Sequence, residues 1–439
     1  MTVGNEKIKK LGFWEVASIG VGGMVGGGIF AVLGLSVQLS GGGAPLAFLI
    51  AGLVALVSSY SYARLSVSFP SQGGTVTFLD RAFGSGLLTG SANILLWLSY
   101  MVMLSLYAYA FGSYGVTFFP TAQILWKHVL ITGCVVGITG LNLLSTKLVG
   151  EAEDYIVLLK LLILGLFIGV GFSGIHTENL APSTWASPLS LVAGGMIIFL
   201  AYEGFELIAN TAQDVRDARR VLPRAFYVSV GFVIVLYICV AVVTVGTLPL
   251  SNILTAKDYA LAEAAKPSLG QAGFTLIAIA AMLSTASAVN ATIYGAARLS
   301  YVIAKDGELP EILEKKAWDK PLLGLLITAG VTIVLANLVD LSAISTMGSA
   351  GFLLIFAFVN LANVKLARQT QSRAWISLLG ALLCLAALGA LLYQISVTAP
   401  QQLWFLCGML VLAFSVELLF RLISKRTVYF RDLKGTKVD

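Results

Sequence analysis

Charge is what this sequence has least of. Of its 439 residues only 11% are Asp, Glu, Lys or Arg, two are histidine and four are cysteine, while 58% are hydrophobic. That shortage excludes an ordinary water-soluble domain, because a bilayer is the one solvent that suits so much apolar surface. The cysteines, Cys134, Cys239, Cys384 and Cys407, lie in apolar runs at no disulfide or metal-ligand spacing and read as small buried hydrophobes. His128 and His176 fall near expected external loops, which leaves no histidine at membrane depth to act as a base or to hold a metal. No P-loop, HExxH or GxSxG pattern occurs, so a membrane-embedded enzyme would lack both nucleophile and metal site. No metal and no cofactor are expected. The net charge of +6 comes from basic residues scattered over short loops rather than gathered in a stripe, which argues against a nucleic-acid partner. The basic amino terminus leads into apolar runs without a small-residue cleavage site, so no cleaved signal peptide is expected.

What is abundant is apolar sequence in runs of about 20 residues, the length that crosses a bilayer as a helix. Twelve such runs begin near residues 12, 44, 86, 124, 150, 188, 222, 271, 322, 341, 374 and 400. The fold class expected is therefore an all-α polytopic membrane protein with 12 transmembrane helices in a lipid bilayer. Lys7, Lys9, Lys10, Arg64, Arg81, Lys147, Arg216, Arg219, Arg220, Arg224, Arg298 and most later Lys and Arg fall in loops on one side, against Lys127, Lys257 and Lys266 on the other. By the positive-inside rule both termini are cytoplasmic, which requires an even number of spans. The resulting plan is a cytoplasmic tail (1–11), a first block of five helices (12–174), a second block of five (188–363), two further helices (374–424) and a second cytoplasmic tail (425–439).

Two of the runs are interrupted. In GVGGMVGGGIF, residues 20–30, six of the first nine residues are glycine, although each glycine costs about 1 kcal/mol relative to alanine inside a helix. The sixth run carries FLAYEGFELIAN, residues 199–210, with two carboxylates and a glycine at what should be mid-bilayer depth. Breaks at the first helix of each of two five-helix blocks are the mark of an inverted-repeat transporter, since unwound backbone is tolerated there only where it is buried or lines a cavity. Close helix packing through small residues, which Gly22 and Gly26 would permit, is the alternative use of the first glycine run.

GGGIF at 26–30, YEGFE at 202–206 and NATIYGAARLSYVIAKDGELP at 290–310 together resemble the amino acid, polyamine and organocation transporter superfamily, from residue 13 to about 321. Within it, EAEDYIVLLKLLILGLF at 151–167 is similar to proton-coupled amino acid transporters whose fold is that of LeuT. The resemblance implies a LeuT-like fold with a 5+5 inverted repeat, discontinuous helices 1 and 6, and uptake of amino acids with protons. Exchange of one amino acid for another, or for a polyamine, stands as the alternative. A channel suits broken helices with a mid-depth lysine less well than occlusion of one molecule does. A monomer or weak oligomer in the cell membrane is expected.

The breaks point to a zwitterion on physical grounds as well. Unwinding leaves free N–H groups at the start of one half-helix and free C=O groups at the end of the other, with dipoles that attract opposite charges. The N–H groups of Gly26, Gly27 and Gly28 are assigned to the substrate carboxylate, and carbonyls near Gly22, Gly23 and Ala201 to its ammonium. Tyr202, Phe205 and Glu206 would complete the pocket. Glu203 departs from the apolar residue the superfamily usually has there; either it or Glu206 pairs with a cationic substrate, or both are protonated or bonded to unwound N–H groups and hold the break open.

Lys160 stands about ten residues into the fifth run, flanked by IVLL and LLILGLF. An unpaired charge there costs at least about 3 kcal/mol, and burial can lower a lysine pKa by several units, so it reads as a titratable proton site. The resemblance implies that its ammonium takes the place of the cation held between helices 1 and 8 in sodium-coupled relatives, with a carbonyl near Gly22 and the hydroxyl of Ser284 or Ser287 as partners. A structural lysine permanently paired with carbonyls is the alternative. Glu151, Glu153 and Asp154 read as a solvated helix start.

Overall fold

The computed structural model describes residues 10–144, 146–314 and 321–424, with the side chains of 144–154 left aside. Most of both proposed tails and the cluster of Glu151, Glu153 and Asp154 lie outside what is described. The chain is helical: α1 (Phe13–Met24), α2 (Gly28–Ser40), α3 (Ala44–Ser68), α4 (Thr75–Phe83), α5 (Leu87–Gly115), α6 (Gln123–Leu144), α7 (Thr146–Gly171), α8 (Pro188–Ile197), α9 (Leu207–Asn210), α10 (Ala218–Thr247), α11 (Leu250–Ala256), α12 (Ala260–Lys305), α13 (Leu322–Leu338), α14 (Leu341–Lys365), α15 (Ala374–Thr398) and α16 (Gln401–Ser424). Among the described residues, nine helical stretches are long and apolar enough to cross a membrane by themselves. Two bent pairs bring the number to eleven, and α13 is a further apolar helix of 17 residues.

The bent pairs are the two interrupted runs. α1 and α2 meet at 46° across 25–27, and α8 meets the 3₁₀ segment Phe199–Glu206 and α9 at 45°. The apolar windows of α5 and α14 are 83% buried and form the centre with the broken helices, while those of α6 and α16 are 22% buried and lie at the periphery. Cys134 and Cys384 are buried as expected, but Cys239 is half-buried and Cys407 exposed, because α10 and α16 turn those positions outward.

One expected helix start is displaced. The eighth run begins not near 271 but at Ala260, and the chain bends at Gly270, whose φ of +62° is open to glycine and strained for other residues. Apolarity alone marks the straight part after the bend. Lys127 and Lys266, on the side with few cations, are ion-paired to Asp258 (3.1 Å) and Glu263 (2.7 Å).

The two broken spans cross backbone to backbone. A Cβ on Gly204 would lie 2.2 Å from the carbonyl carbon of Gly23 and 2.4 Å from the nitrogen of Met24, and one on Gly23 would lie 2.8 Å from the carbonyl oxygen of Gly204. Neither position has room for a side chain, so these glycines set how closely the breaks approach. Gly204→Ala is expected to destabilise the protein by about 1–3 kcal/mol. Gly231→Ala, in α10, meets no atom within 4 Å and should hold or raise the melting temperature. Melting of both variants in detergent checks the crossing, and an unchanged Gly204→Ala would refute it.

Candidate substrate and proton site

Where the backbone unwinds, its polar groups need partners from elsewhere, and most of them have one. The carbonyl of Gly22 accepts from Lys160 Nζ at 3.2 Å, that of Met24 from Tyr237 Oη at 2.6 Å, and those of Val25 and Gly26 from Ser284 Oγ at 3.1 and 2.6 Å. Tyr237, on α10, also reaches the carbonyl of Ala201 at 3.3 Å and so ties one break to the other. In the second break, Ser349 Oγ accepts from the N–H of Leu200 (3.1 Å) and donates to the carbonyl of Ile197 (3.1 Å), to which Ser345 also donates.

What remains is a short list. Among the described residues, the N–H groups of Gly26, Gly27 and Gly28 make no hydrogen bond to a protein acceptor, and no donor reaches the carbonyl of Gly23. Donors at the start of α2 and an acceptor at the end of α1 are thus brought close together, beside the Ala201 carbonyl that Tyr237 shares. These groups can hold an anion and a cation one backbone turn apart.

Protein atoms hold the space beside these glycines. A Cβ on Gly27 would meet the Tyr107 ring at 2.4 Å, one on Gly28 would meet Ala201 at 2.7 Å, and one on Gly26 would meet Ala288 at 2.9 Å. Close packing is therefore a real part of what the glycine run does. Tyr202 is fully buried, donates to the carbonyl of Phe48 (3.0 Å) and packs on Tyr237. Phe205 sits in an aromatic cluster with Tyr62, Phe226 and Phe356.

Lys160 is 1% exposed on α7 and cannot reach water by extending its stem. Its ammonium bonds the last turn of α1, where the helix dipole favours a cation. Ser284 belongs to the same unwound stretch through Val25 and Gly26, and Ser287 is buried one turn further along α12.

The two carboxyls of the second break are not bonded to unwound N–H groups, which is a correction. Glu206 accepts from three hydroxyls: Tyr62 (3.0 Å) and Thr75 (3.2 Å) at Oε2, and Tyr100 at Oε1. Side chains from α3, α4 and α5 do what the local backbone was expected to do. Tyr237, Ser345, Ser349 and the hydroxyls around Glu206 were missed in the sequence. The one signal that could have found them is a pair of serines one turn apart, Ser345 and Ser349, in an otherwise apolar span.

Two interrupted helices that cross at their breaks, with free polar backbone and a buried lysine on the unwound turn, define a polytopic membrane protein of the secondary-transporter class. The family model for amino acid permeases matches residues 11–414, and the chain belongs to that family, within the amino acid, polyamine and organocation superfamily. It is 37% identical to an uncharacterized protein of Methanocaldococcus jannaschii over 96% of this chain and 97% of that one. It is 32% identical to the inner membrane transport protein YbaT of Escherichia coli (96% and 98% covered) and 24% identical to the branched-chain amino acid permease BcaP of Bacillus subtilis (84% and 83%). The chain is a transporter and not an enzyme.

Beyond the spans, on the side of the basic loops, Asn93 donates to Asp80 Oδ1 (3.1 Å) on α4 and to Glu308 Oε2 (2.7 Å) after α12. Burial, followed by the nearby charge of Asp306, raises the Asp80 carboxyl to about 7; burial, followed by Asp80, raises Glu308 to about 8. Both acids bind protons in the folded state at pH values where the unfolded chain, with carboxyls near about 4, has lost them. Their stabilising contribution is complete below about pH 4 and is lost as pH rises through 7 to 8. The melting temperature should fall between about pH 5 and pH 8.5, and Glu308→Gln should flatten that slope. A wild-type melting temperature that rises over this interval would contradict the assignment.

Proposed function

We propose that the chain imports amino acids by proton symport, with alternating access around the crossing of its two broken helices. The arrangement would be LeuT-like, with twelve spans, a 5+5 inverted repeat, both termini cytoplasmic and the cell membrane as its place. The observation that carries the reading is the buried ammonium of Lys160 on the carbonyl of Gly22, at the end of α1. A lysine enclosed in apolar surroundings can release its proton at usable pH, and its bond to a carbonyl is strong only while it is charged. Proton binding thus fixes the inner half of the first span, and proton loss frees it.

The substrate carboxylate goes to the N–H groups of Gly26, Gly27 and Gly28, and the α-ammonium to the carbonyls of Gly23 and Ala201. Tyr107, whose ring lies against Gly27, must shift for the carboxylate to enter. Tyr202 and Phe205 hold the second break in place around the substrate, and Ser284 keeps the first break open by occupying Val25 and Gly26. With proton and amino acid both bound, the backbone groups of the first break all have partners and the protein can pass to the inward-facing state; both leave on the side of the basic loops. Because substrate touches α1, α2 and the 3₁₀ segment rather than α7, coupling and binding should separate by mutation.

Lys160→Ala is expected to lose amino acid accumulation driven by a pH gradient while retaining counterflow in proteoliposomes. Lys160→Arg keeps a charge that cannot leave below about pH 12, and should lose coupled uptake as well. A structural lysine predicts the reverse order, with arginine tolerated and alanine misfolded. Normal gradient-driven uptake by reconstituted Lys160→Arg would overturn the proton role, and counterflow without any response of the wild type to a pH gradient would favour exchange.

A further inference from the structure

Glu203 lies in the middle of the second break with no exposure to solvent, and no backbone or side-chain donor reaches either of its carboxyl oxygens. An ionised carboxylate cannot stay there, since burying an unsolvated charge costs far more than protonating it. Its neighbour explains the arrangement. Glu206, 1% exposed, stands three residues further along the same 3₁₀ segment, on the same face as Glu203, and its carboxyl already accepts from Tyr62, Thr75 and Tyr100. A carboxylate offers about four acceptor positions, and three hydroxyls leave one, which only a donor can fill. The groups that face the pair are Tyr62 from α3, Thr75 from α4, and Tyr100 and Tyr107 from α5, none of which carries a charge near neutrality. Two buried carboxyls on one helix face in such a place cannot both ionise and hold one proton between them.

The pair also has an outlet. A small cavity lined by Gly73, Thr75, Tyr100, Glu206, Asn210 and Gly295 adjoins Glu206, and neither Glu203 nor a glycine of the first break lines it. Gly73 and Asn210 are in the stretches that run into Arg81 and Arg216, so this cavity is on the basic-loop side. Glu203 does not line that cavity, and its charge, were it ionised, would be felt by Tyr107, the ring that covers Gly27.

We propose that Glu203 and Glu206 together bind a single proton, carried on Glu203 and donated to an ionised Glu206, and that this proton exchanges with the basic-loop side through the cavity beneath Tyr100. In the exchange the Glu203 O–H bond breaks, the proton passes to Glu206 and then to water in the cavity, and a proton from that side restores the pair. Glu203 is thus a proton carrier and not the partner of a cationic substrate. The use of this proton in symport rests on the reading of the previous subsection, but its presence on the pair does not.

Infrared spectroscopy of the purified full-length protein tests the presence of the proton directly. At neutral pH the wild type should show protonated-carboxyl C=O absorption, shifted in D₂O, with a component from the pair beside those of Asp80 and Glu308. Glu203→Gln, which keeps the size and an N–H donor toward Glu206, should lose that one component, seen as a band in the wild-type-minus-variant difference spectrum. Glu206→Gln should keep a band from Glu203 at an altered frequency, since the acceptor changes. A Cβ on Gly295 meets no atom within 4 Å, so Gly295→Leu can fill the cavity without a backbone clash, and should slow deuterium exchange of the band severalfold. A wild-type spectrum unchanged in Glu203→Gln would overturn the shared proton, and exchange as fast in Gly295→Leu as in the wild type would overturn the route. The failure of symport itself would show as uptake indifferent to a pH gradient in a wild type that still has the band.

Discussion

The structure depends on one close approach, the contact of Gly23 with Gly204. Two helices broken in a medium without water expose backbone groups that something must satisfy. Bringing the breaks within contact of each other lets a few surrounding side chains serve both. Tyr237 reaches Met24 and Ala201 together only because the two segments cross, and Lys160 reaches Gly22 from α7. Any side chain at the crossing would separate the breaks and leave those bonds without their second partner.

The satisfaction of the two breaks is uneven, and the unevenness has chemical meaning. Carbonyls on either side of Gly23 are occupied, by Lys160 below and by Tyr237 and Ser284 above, while the N–H groups that follow are not. Buried donors without acceptors are rare in proteins, and a helix start is where an anion relieves them. The second break differs in kind: its backbone is held by Ser345 and Ser349, and one of its two acids, Glu206, meets hydroxyls from three other helices. One break leaves backbone N–H groups without protein partners, and the other leaves a carboxyl without a donor.

Much of this was legible in the sequence because it is local. Glycine content places the first break, a glycine between two acids places the second, and a lysine amid leucines must be buried wherever the span packs. The spans near 44, 188, 322, 341 and 374 begin where apolar runs begin, since nothing but apolarity decides them. The start of α12 was missed because Gly270 bends a helix whose two parts differ in composition. The partners of Glu206 were not readable at all: Tyr62, Thr75 and Tyr100 are 144, 131 and 106 positions away, and nothing at their own positions distinguishes them from other polar residues in apolar helices. The same holds for Tyr107 against Gly27, which turns a glycine expected to face substrate into one that also packs against a ring.

That the unpaired N–H groups of the first break bind the substrate is the claim from which the rest follows, and a structure of the protein with an amino acid bound tests it most directly. The account predicts the carboxylate within hydrogen-bonding distance of the N–H groups of Gly26, Gly27 and Gly28, the ammonium near the carbonyls of Gly23 and Ala201, and the Tyr107 ring displaced. An amino acid seated instead in the cavity beneath Tyr100, with its ammonium on Glu206 and the glycine N–H groups untouched, would contradict it.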